Sequence, residues 1–356
     1  MVGAHGYTHP PSHTHPGHWQ TIIGLLIRRA PKPDIEYTRL PLAIEDGGVV
    51  YLDVVLPTEP PPQWSPDCGL NPAAPTLVLL HGLTGGSDEA YIKHMCAAAL
   101  KAGVQCVVMN ARGCGGTDLA TPRCFNAVAS SDVRRTTYHV RAQLHDDTPL
   151  FMVGFSLGAG ILSSFVAEEG EKLMGVVTGA IACCASYDMI KTTAIMEGTF
   201  HRYTYNRKLA ANLQKFARRH QHVPGMADAI DLPAALAART VREFDSAVIV
   251  PMFSYKDVWD YYRDASSGRV VHSIAIPFLM LNARDDPVCS TEGMPLAAIE
   301  SNPSLIGVIT EEGGHVMWAS GLWPSGKAWC DQAAVEFMCA VSQATAAARA
   351  SRLPLH

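Results

Sequence analysis

From residue 76 onward, short apolar runs alternate with segments of helical periodicity. Apolar runs that are flanked by helices are typical of parallel strands buried on both faces. We therefore predict an open, doubly wound α/β sheet, whose ligand site lies beyond the carboxyl ends of its strands. The predicted strands are residues 76–80, 104–110, 149–155, 173–185, 276–283 and 304–310.

The predicted helices fill most of the intervals between these strands. The first predicted helix is the segment EAYIKHMCAAALKAG. The others are residues 130–144, 156–169 and 291–300, and a last helix from about residue 327. Before the first parallel strand, the segment 35–60 carries two alternating runs around an EDGG turn, which predicts an antiparallel hairpin at the sheet edge.

The alternation stops between residues 186 and 270, which are helical in pattern, rich in arginine and aromatic residues, and without a convincing strand. An insertion between two strands of such a sheet indicates a cap or lid over the site. We predict a flexible His/Pro-rich arm, a first core part, the cap, a second core part and a tail, at residues 1–15, 16–185, 186–270, 271–345 and 346–356.

Composition narrows the class of protein. Of the 356 residues, 48% are hydrophobic and 17% are charged, which indicates a globular chain with a sizeable core. The formal net charge is -5 and no basic run occurs, so we expect no nucleic-acid partner. Oligomeric state is not predictable from this composition.

Cysteine spacing and hydropathy indicate the compartment. The ten cysteines include no C-x-x-C pair, so we expect buried, reduced thiols and a cytoplasmic protein. We find neither a signal peptide nor an apolar run long enough to span a bilayer. The segment TIIGLLIRRA (21–30) leaves a peripheral membrane contact open, although we favour a helix docked on the core.

The candidate nucleophile lies in GFSLG at residues 154–158, between a buried strand and a helix. This G-x-S-x-G pattern is typical of a nucleophile elbow, a strained turn that exposes one serine. Gly154 and Gly158 are needed because larger side chains would collide with the strand and helix that pack there. Ser156 is therefore the predicted nucleophile.

A serine hydroxyl needs a base, and the base needs an acid to orient it. Asp285 and Asp286 follow the strand 276–283, and beyond them the only histidines are His315 and the last residue, His356. His315 follows another strand on a Gly-Gly loop, so we predict His315 as the base. We favour Asp286 as the acid, with Asp285 capping or facing solvent and Asp188 as a more distant alternative.

The loops after the first two parallel strands and the residue after the nucleophile supply the remaining candidates. Backbone N–H groups of Leu83 and Leu157 are the predicted oxyanion hole. We expect His81 to hold its loop by a hydrogen bond rather than to act in catalysis. The glycine-rich loop 110–118 lacks a phosphate-binding pattern, so we interpret Arg112 as a charge that braces the site.

We expect substrate contacts from Gly82, Phe155, Met189 and Phe253. Further cap residues could line an acyl pocket, although aromatic and methionine residues at helical spacing are more often plain core. These further candidates are Ile190, Met196, Phe200, Tyr203, Tyr205, Trp259 and Tyr261.

Several motifs together resemble one branch of a known family. They are PGHWQTI, HGLTGGSDEAYIKH, NARGCGGT, GFSLGAG, REFD with YYRDAS, NARDDP and GGH, between residues 16 and about 340. The chain resembles the YheT-like branch of the α/β hydrolases, which includes ABHD-type lipid hydrolases and fungal medium-chain ethyl-ester synthase/esterases. The resemblance implies the α/β-hydrolase fold and a triad of Ser156, Asp286 and His315.

Our leading hypothesis is a serine esterase or lipase that cleaves acyl esters through an acyl-enzyme, with no metal or organic cofactor. An acyltransferase would use the same triad and an alcohol in place of water. A third hypothesis is a hydrolase scaffold that binds a ligand without turnover, and a fourth is a peptidase. The acyl chain length and the head group are not predictable from the sequence.

Overall fold

The computed structural model describes residues 32–56, 69–316, 318 and 328–351. The predicted arm (1–15), the PGHWQTI motif (16–22) and the TIIGLLIRRA segment (21–30) lie outside the described residues, as does the end of the predicted tail.

The described residues form one mixed sheet of eight strands in the spatial order β1-β2-β4-β3-β5-β6-β7-β8. Strands β1 and β2 form the predicted antiparallel hairpin, β2 pairs antiparallel with β4, and all other neighbours are parallel. The strands are β1 Thr38–Ala43, β2 Val49–Val55, β3 Thr76–Leu80, β4 Gln105–Asn110, β5 Leu150–Phe155, β6 Gly179–Cys183, β7 Phe278–Ala283 and β8 Leu305–Thr310.

Helices follow most of the strands. In the described part of the core they are α1 Ala90–Lys101, α2 Ser130–Arg141, α3 Leu157–Glu169, α12 Leu296–Ser301 and α13 Trp329–Ala350. Between β6 and β7 lie α4 Met189–Met196, α5 Thr199–His201, α6 Arg207–His220, α7 Met226–Ala229, α8 Leu232–Ala237, α9 Val241–Ala247, α10 Ile249–Met252 and α11 Val258–Asp264. A π-helical turn, Arg202–Asn206, joins α5 to α6.

The two faces of the sheet explain why its central strands are uniformly apolar. Alternate residues of one strand enter opposite cores: Val78 packs with residues of α2 and α3, and Leu79 packs with residues of α1 and α13. Every residue of β3 is buried. Burial on both faces is the reason that parallel strands lack an apolar–polar alternation, and the predicted fold class is confirmed.

The structure corrects three element boundaries. The fourth predicted strand was too long, because 170–173 forms a short 3-10 helix and the strand proper begins at Gly179. The predicted helix 291–300 is a 3-10 turn, Thr291–Gly293, followed by α12. The last helix continues to Ala350, into the segment that we assigned to a tail.

None of the helices within the described ranges is long and apolar enough to cross a membrane. The described cysteines are free thiols, as predicted, and all of them except Cys339 are buried.

Candidate active site

Ser156 lies at the junction of β5 and α3 in a strained backbone conformation. Its φ is 54° and its ψ is -118°, a region that residues with a side chain rarely adopt. The Ser156 N–H donates to the carbonyl oxygen of Cys183 at 2.9 Å, which ties the turn to the neighbouring strand. The strained turn that the GFSLG motif predicts is therefore present.

The two glycines of this motif are required by backbone packing. A Cβ atom on Gly154 would lie 2.5 Å from the Gly158 carbonyl oxygen. A Cβ atom on Gly158 would lie 2.5 Å from the His81 carbonyl oxygen. Both distances are far inside van der Waals contact, so any side chain would force the strand, the helix and the loop apart.

The structure brings Ser156, His315 and Asp286 into one hydrogen-bonded chain. His315 Nε2 lies 2.9 Å from Ser156 Oγ, and His315 Nδ1 lies 2.8 Å from Asp286 Oδ2. A carboxylate oxygen can only accept, so Nδ1 carries the ring proton and Nε2 accepts from the serine hydroxyl. This arrangement can remove the proton of Ser156 during an attack.

Asp286 is fixed on both of its oxygens. Oδ1 accepts from the backbone N–H groups of Val288 and Cys289 at 2.8 and 2.9 Å, while Oδ2 faces His315. The Asp286 carboxyl group has no solvent-exposed surface. It therefore has one available rotamer, in which it orients the imidazole.

Asp285 is partly buried and caps a backbone N–H group, which is one of the two roles that we expected for it. Its Oδ1 accepts from the Gly314 N–H at 2.8 Å, immediately before His315, and its Oδ2 is buried without a partner in the described residues. Burial, together with the nearby Asp286 charge, raises the pKa of Asp285 to about 6. The first aspartate thus positions the histidine loop, and the second contacts the histidine itself.

Asp188, the more distant alternative acid, has a different role. Its Oδ1 accepts from the N–H groups of Ile190 and Lys191 at 3.0 Å, which makes it the N-cap of α4. The carboxylate that faces His315 Nδ1 is instead that of Asp286.

Backbone strain extends to the loop that carries His315. Val316 has a φ of 62°, although β-branched residues strongly avoid this region. Its N–H donates to Cys184 Sγ at 3.2 Å, and Cys184 itself has a φ of 55°. The surrounding core therefore holds both residues in an unfavourable backbone conformation next to the histidine.

Leu83 and Leu157, the predicted oxyanion donors, both line the cavity beside Ser156 and His315. Leu157 is the first residue of α3, where a backbone N–H has no partner within its own helix. The loop before Leu83 is held by the N–H of Gly82, which donates to Tyr91 Oη at 2.9 Å.

His81 braces the loop, as expected. Its Nε2 accepts from the Ala111 N–H at 3.1 Å, so its Nδ1 carries the proton and donates to the Gly82 carbonyl oxygen at 2.7 Å. Burial lowers the pKa of His81, which keeps the ring neutral in this bridge. The ring joins the loops after β3 and β4.

The glycine-rich loop after β4 serves close packing. A Cβ atom on Gly86 would lie 2.4 Å from Gly115 Cα, and one on Gly115 would lie 2.0 Å from Asn110 Oδ1. Arg112 is buried and donates to both oxygens of Asp132 at 2.7 Å and to Asp46 at 2.7 Å. Its role as a bracing charge fits this geometry.

Between the sheet edge and the cap lies a cavity of about 680 Å³ that contains Ser156 and His315. Of the predicted substrate contacts, Gly82 and Met189 line the cavity. Phe155 does not, because its ring is fully buried in the core and packs against Tyr91 at 5.0 Å. Phe253 also lies elsewhere, under the guanidinium of Arg123 at 4.7 Å.

Of the further cap candidates, Met196, Tyr205 and Tyr261 line the cavity. The other four do not line it and present substantial surface to solvent. These four are Ile190, Phe200, Tyr203 and Trp259.

One set of potential metal ligands exists among the described residues. Cys184 Sγ, an Asp286 oxygen and a His315 nitrogen lie within 4.8 Å of one another. Burial raises the pKa of Cys184 well above its usual range, so the thiol stays protonated, and the other two groups are hydrogen-bonded to each other. This geometry favours hydrogen bonding over metal ligation.

Sequence reasoning missed Tyr91 and Cys184, which form hydrogen bonds to the two loops around Ser156. It also missed Asp245, a buried cap residue on the cavity wall. The REFD motif contains Asp245, but the sequence alone does not indicate where this helix packs.

Comparison with known proteins identifies the family. Residues 75–319, more than half of the chain, match the family model described as the alpha/beta hydrolase fold. The chain is 32% identical to the embryogenesis-associated protein EMB8 of Picea glauca, over 90% of this chain and 69% of that protein. It is 31% identical to the phospholipase ABHD3 of Mus musculus, over 87% of this chain and 73% of that protein.

Two further similarities extend this result. The medium-chain fatty acid ethyl ester synthase/esterase 2 of Saccharomyces cerevisiae is 28% identical over 74% of this chain and 61% of that protein. An esterase structure from Pyrococcus furiosus superposes with a TM-score of 0.52 at 15% identity, covering 86% of this chain and 93% of that one, which supports the fold alone. The family resemblance of the motifs is confirmed: this chain belongs to the α/β hydrolases, in the branch that contains the ABHD-type proteins.

Proposed function

We propose that this protein is a serine esterase that cleaves acyl esters, including lipid esters, through a covalent acyl-enzyme. The observation that carries the proposal is the hydrogen-bonded chain from Ser156 through His315 to Asp286, which opens onto the 680 Å³ cavity. The names of several relatives, among them a phospholipase and a monoacylglycerol lipase, agree with an ester substrate.

In the first half-reaction, Ser156 Oγ attacks the ester carbonyl carbon while His315 Nε2 takes the hydroxyl proton. Asp286 stabilises the imidazolium that forms. The carbonyl oxygen becomes negative and accepts from the N–H groups of Leu83 and Leu157. Collapse of this intermediate breaks the ester bond, and the alcohol leaves with the proton from His315.

In the second half-reaction, water attacks the acyl-enzyme and transfers its proton to His315 Nε2. The second tetrahedral intermediate collapses to the free acid and restores the Ser156 hydroxyl. The cavity wall suits the acyl part because much of it is apolar. The apolar residues include Met189, Met196, Leu209, Leu213, Phe216 and Ile249.

The test is hydrolysis of p-nitrophenyl acyl esters by the wild type and two histidine variants. We expect His315→Ala to lower kcat/KM by at least about 10⁴-fold, because the serine hydroxyl loses its general base. His272→Ala is the matched control, because His272 is exposed and does not line the cavity. Equal activity of all three proteins would contradict the proposal.

An acyl transfer to alcohol is the second candidate, favoured by the relative named an ethyl ester synthase/esterase. The same acyl-enzyme would then be resolved by an alcohol. Partition of a fixed acyl donor between free acid and ethyl ester, as ethanol is added, distinguishes the two. Formation of acid alone at every ethanol concentration would exclude the transferase.

A further inference from the structure

Two sequence motifs outside the triad meet in the cap. REFD (242–245) lies on α9 and YYRDAS (261–266) begins on α11, with fifteen residues between them in sequence. The Tyr262 hydroxyl donates to Asp245 Oδ2 at 2.8 Å, and both side chains line the cavity that contains Ser156. The two motifs therefore form one hydrogen-bonded polar pair on the cap side of the cavity.

The second oxygen of Asp245 has no donor among the described residues. Tyr262 is the single hydrogen-bond partner of the Asp245 side chain, and it contacts Oδ2. Asp245 is 8% exposed and is one of the residues that line the cavity. An oxygen without a donor on a residue that lines a cavity is available to a ligand, because leaving a buried polar group unpaired is costly.

No cation among the described residues forms an ion pair with this carboxyl group. Arg242 lies one turn earlier on α9, but it donates to Glu197 at 2.7 Å and its guanidinium lies over the Trp259 ring. Burial raises the pKa of Asp245 to about 7. Near neutral pH the carboxyl group therefore exists in both forms, and either form can pair with a hydroxyl group.

The rest of the cavity wall disfavours a cationic ligand. Among the described residues, the basic side chains on this wall outnumber the acidic ones: Lys208, Lys215, Arg219 and Arg242 against Glu89 and Asp245. A quaternary ammonium group would therefore share the cavity with more positive than negative side chains. An uncharged hydroxyl group has no such disadvantage.

We propose that Asp245, held by Tyr262, is a specificity-determining residue that binds a hydroxyl group of an otherwise uncharged ester substrate. This inference rests on the proposed esterase function. The hydroxyl group could belong to the alcohol half, as in a glyceryl ester, or to the acyl half, as in a hydroxy acid ester. The chemistry of recognition is the same in both cases.

The experiment measures selectivity between matched esters. One pair is the glyceryl and propyl esters of one fatty acid, and the other is the ethyl esters of a hydroxylated and a plain fatty acid. We expect the wild type to prefer the hydroxylated member of at least one pair. Asp245→Leu should lower that ratio of kcat/KM values by about tenfold, because the hydroxyl group loses its partner.

Three further variants make the result specific. Asp228→Leu is the matched control, because Asp228 is an exposed aspartate of the cap that does not line the cavity, and its ratios should equal those of the wild type. Asp245→Asn keeps an oxygen acceptor and should retain most of the preference. Tyr262→Phe keeps the ring and should lower the ratio by about threefold, which provides a test should Asp245→Leu fail to fold.

The outcomes separate the two proposals. Ester hydrolysis with the same ratios in the wild type, Asp245→Leu and Tyr262→Phe would overturn the inference alone. A preference for acylcholine esters that Asp245→Leu abolishes would also overturn it, in favour of a cation site. Absence of any ester hydrolysis by the folded wild type would overturn the proposed function and this inference with it.

Discussion

The catalytic edge of the sheet and the cap above it are built in different ways. At the edge, hydrogen bonds and strained turns fix each reactive group: Asp286 accepts hydrogen bonds on both oxygens, and Ser156 and Val316 are held at positive φ. In the cap, short helices pack around the cavity, and Phe200 and Tyr203 are 53% and 75% exposed.

The two regions suit two different tasks, the reaction at the sheet edge and the choice of substrate in the cap. The reaction requires fixed distances between a few atoms, which strand ends and strained turns provide. We propose that substrate choice depends on the shape of the cavity wall, to which helices of the cap contribute residues such as Asp245 and Tyr262. Variants in the two regions should therefore fail in different ways.

The largest expected effect distinguishes the two adjacent aspartates at the edge. Asp286→Asn should lower kcat/KM for an acyl ester by about 10⁴-fold, because the imidazole loses the carboxylate that fixes its tautomer. Asp285→Asn should lower it by about tenfold at most, because an amide oxygen can still accept from the Gly314 N–H. Steady-state kinetics on both variants test this, and a larger loss in Asp285→Asn would reverse our assignment.

The second largest effect is on stability, when a glycine that is tightly packed at the catalytic edge of the sheet is replaced. Gly158→Ala should lower the free energy of unfolding by about 3 kcal/mol, because its Cβ would lie 2.5 Å from a carbonyl oxygen. Gly160→Ala, two residues on, should raise it by about 0.5 kcal/mol, because its nearest neighbour would be 3.9 Å away and alanine favours the helix. Urea unfolding of both variants gives the comparison, and equal midpoints would contradict the packing argument.

Part of the fold and part of the candidate site could be predicted from the sequence. The parallel strands and the elbow follow from local patterns, because a strand buried on both faces and a turn without room for side chains leave distinct signatures. Ser156 and His315 were predictable from their placement at strand ends. The pairing of Asp285 with Gly314 was not, because it depends on the path of a loop 29 residues away.

Cap contacts were less predictable than the sheet. Aromatic and methionine residues at helical spacing look alike whether they face a core, a cavity or solvent. Phe253 and Met189 illustrate this, since one lies under Arg123 and the other lines the cavity. Only the packing of α4 to α11 against one another decides between the alternatives.

A third prediction concerns the pH dependence of the cap. Burial raises the pKa of Asp245 from 3.8 to about 7, so the fold favours the protonated carboxyl group. The stability that this group contributes is complete below pH 3.8 and is lost as the pH rises to about 7. Relative to Asp245→Asn, which cannot titrate, the wild type should lose on the order of 2 kcal/mol between pH 5 and pH 7.

Chemical denaturation of the two proteins at both pH values measures this difference. Parallel stability profiles of the wild type and Asp245→Asn would contradict the raised pKa. Asp228→Asn serves as the control, because an exposed aspartate should leave the wild-type profile unchanged.

The smallest expected effect is on the free energy of unfolding, when one ion pair in each of the two regions is removed. Glu197→Gln breaks a partly exposed pair with Arg242 in the cap and should cost about 0.5 kcal/mol, less at high salt. Asp132→Asn breaks the buried pair with Arg112 behind the edge and should cost several-fold more at any salt concentration. Unfolding at 0.05 and 1 M NaCl tests both, and an equal salt dependence would contradict the difference in burial.

The central claim is that Ser156 is an activated nucleophile, and covalent labelling tests it most directly. A fluorophosphonate probe, followed by intact mass measurement, should give a single adduct on the wild type and none on Ser156→Ala. Adduct formation should slow strongly in His315→Ala, because the hydroxyl group loses its base. No adduct on folded wild-type protein, or an equal adduct on Ser156→Ala, would contradict the account and favour a scaffold that binds its ligand without turnover.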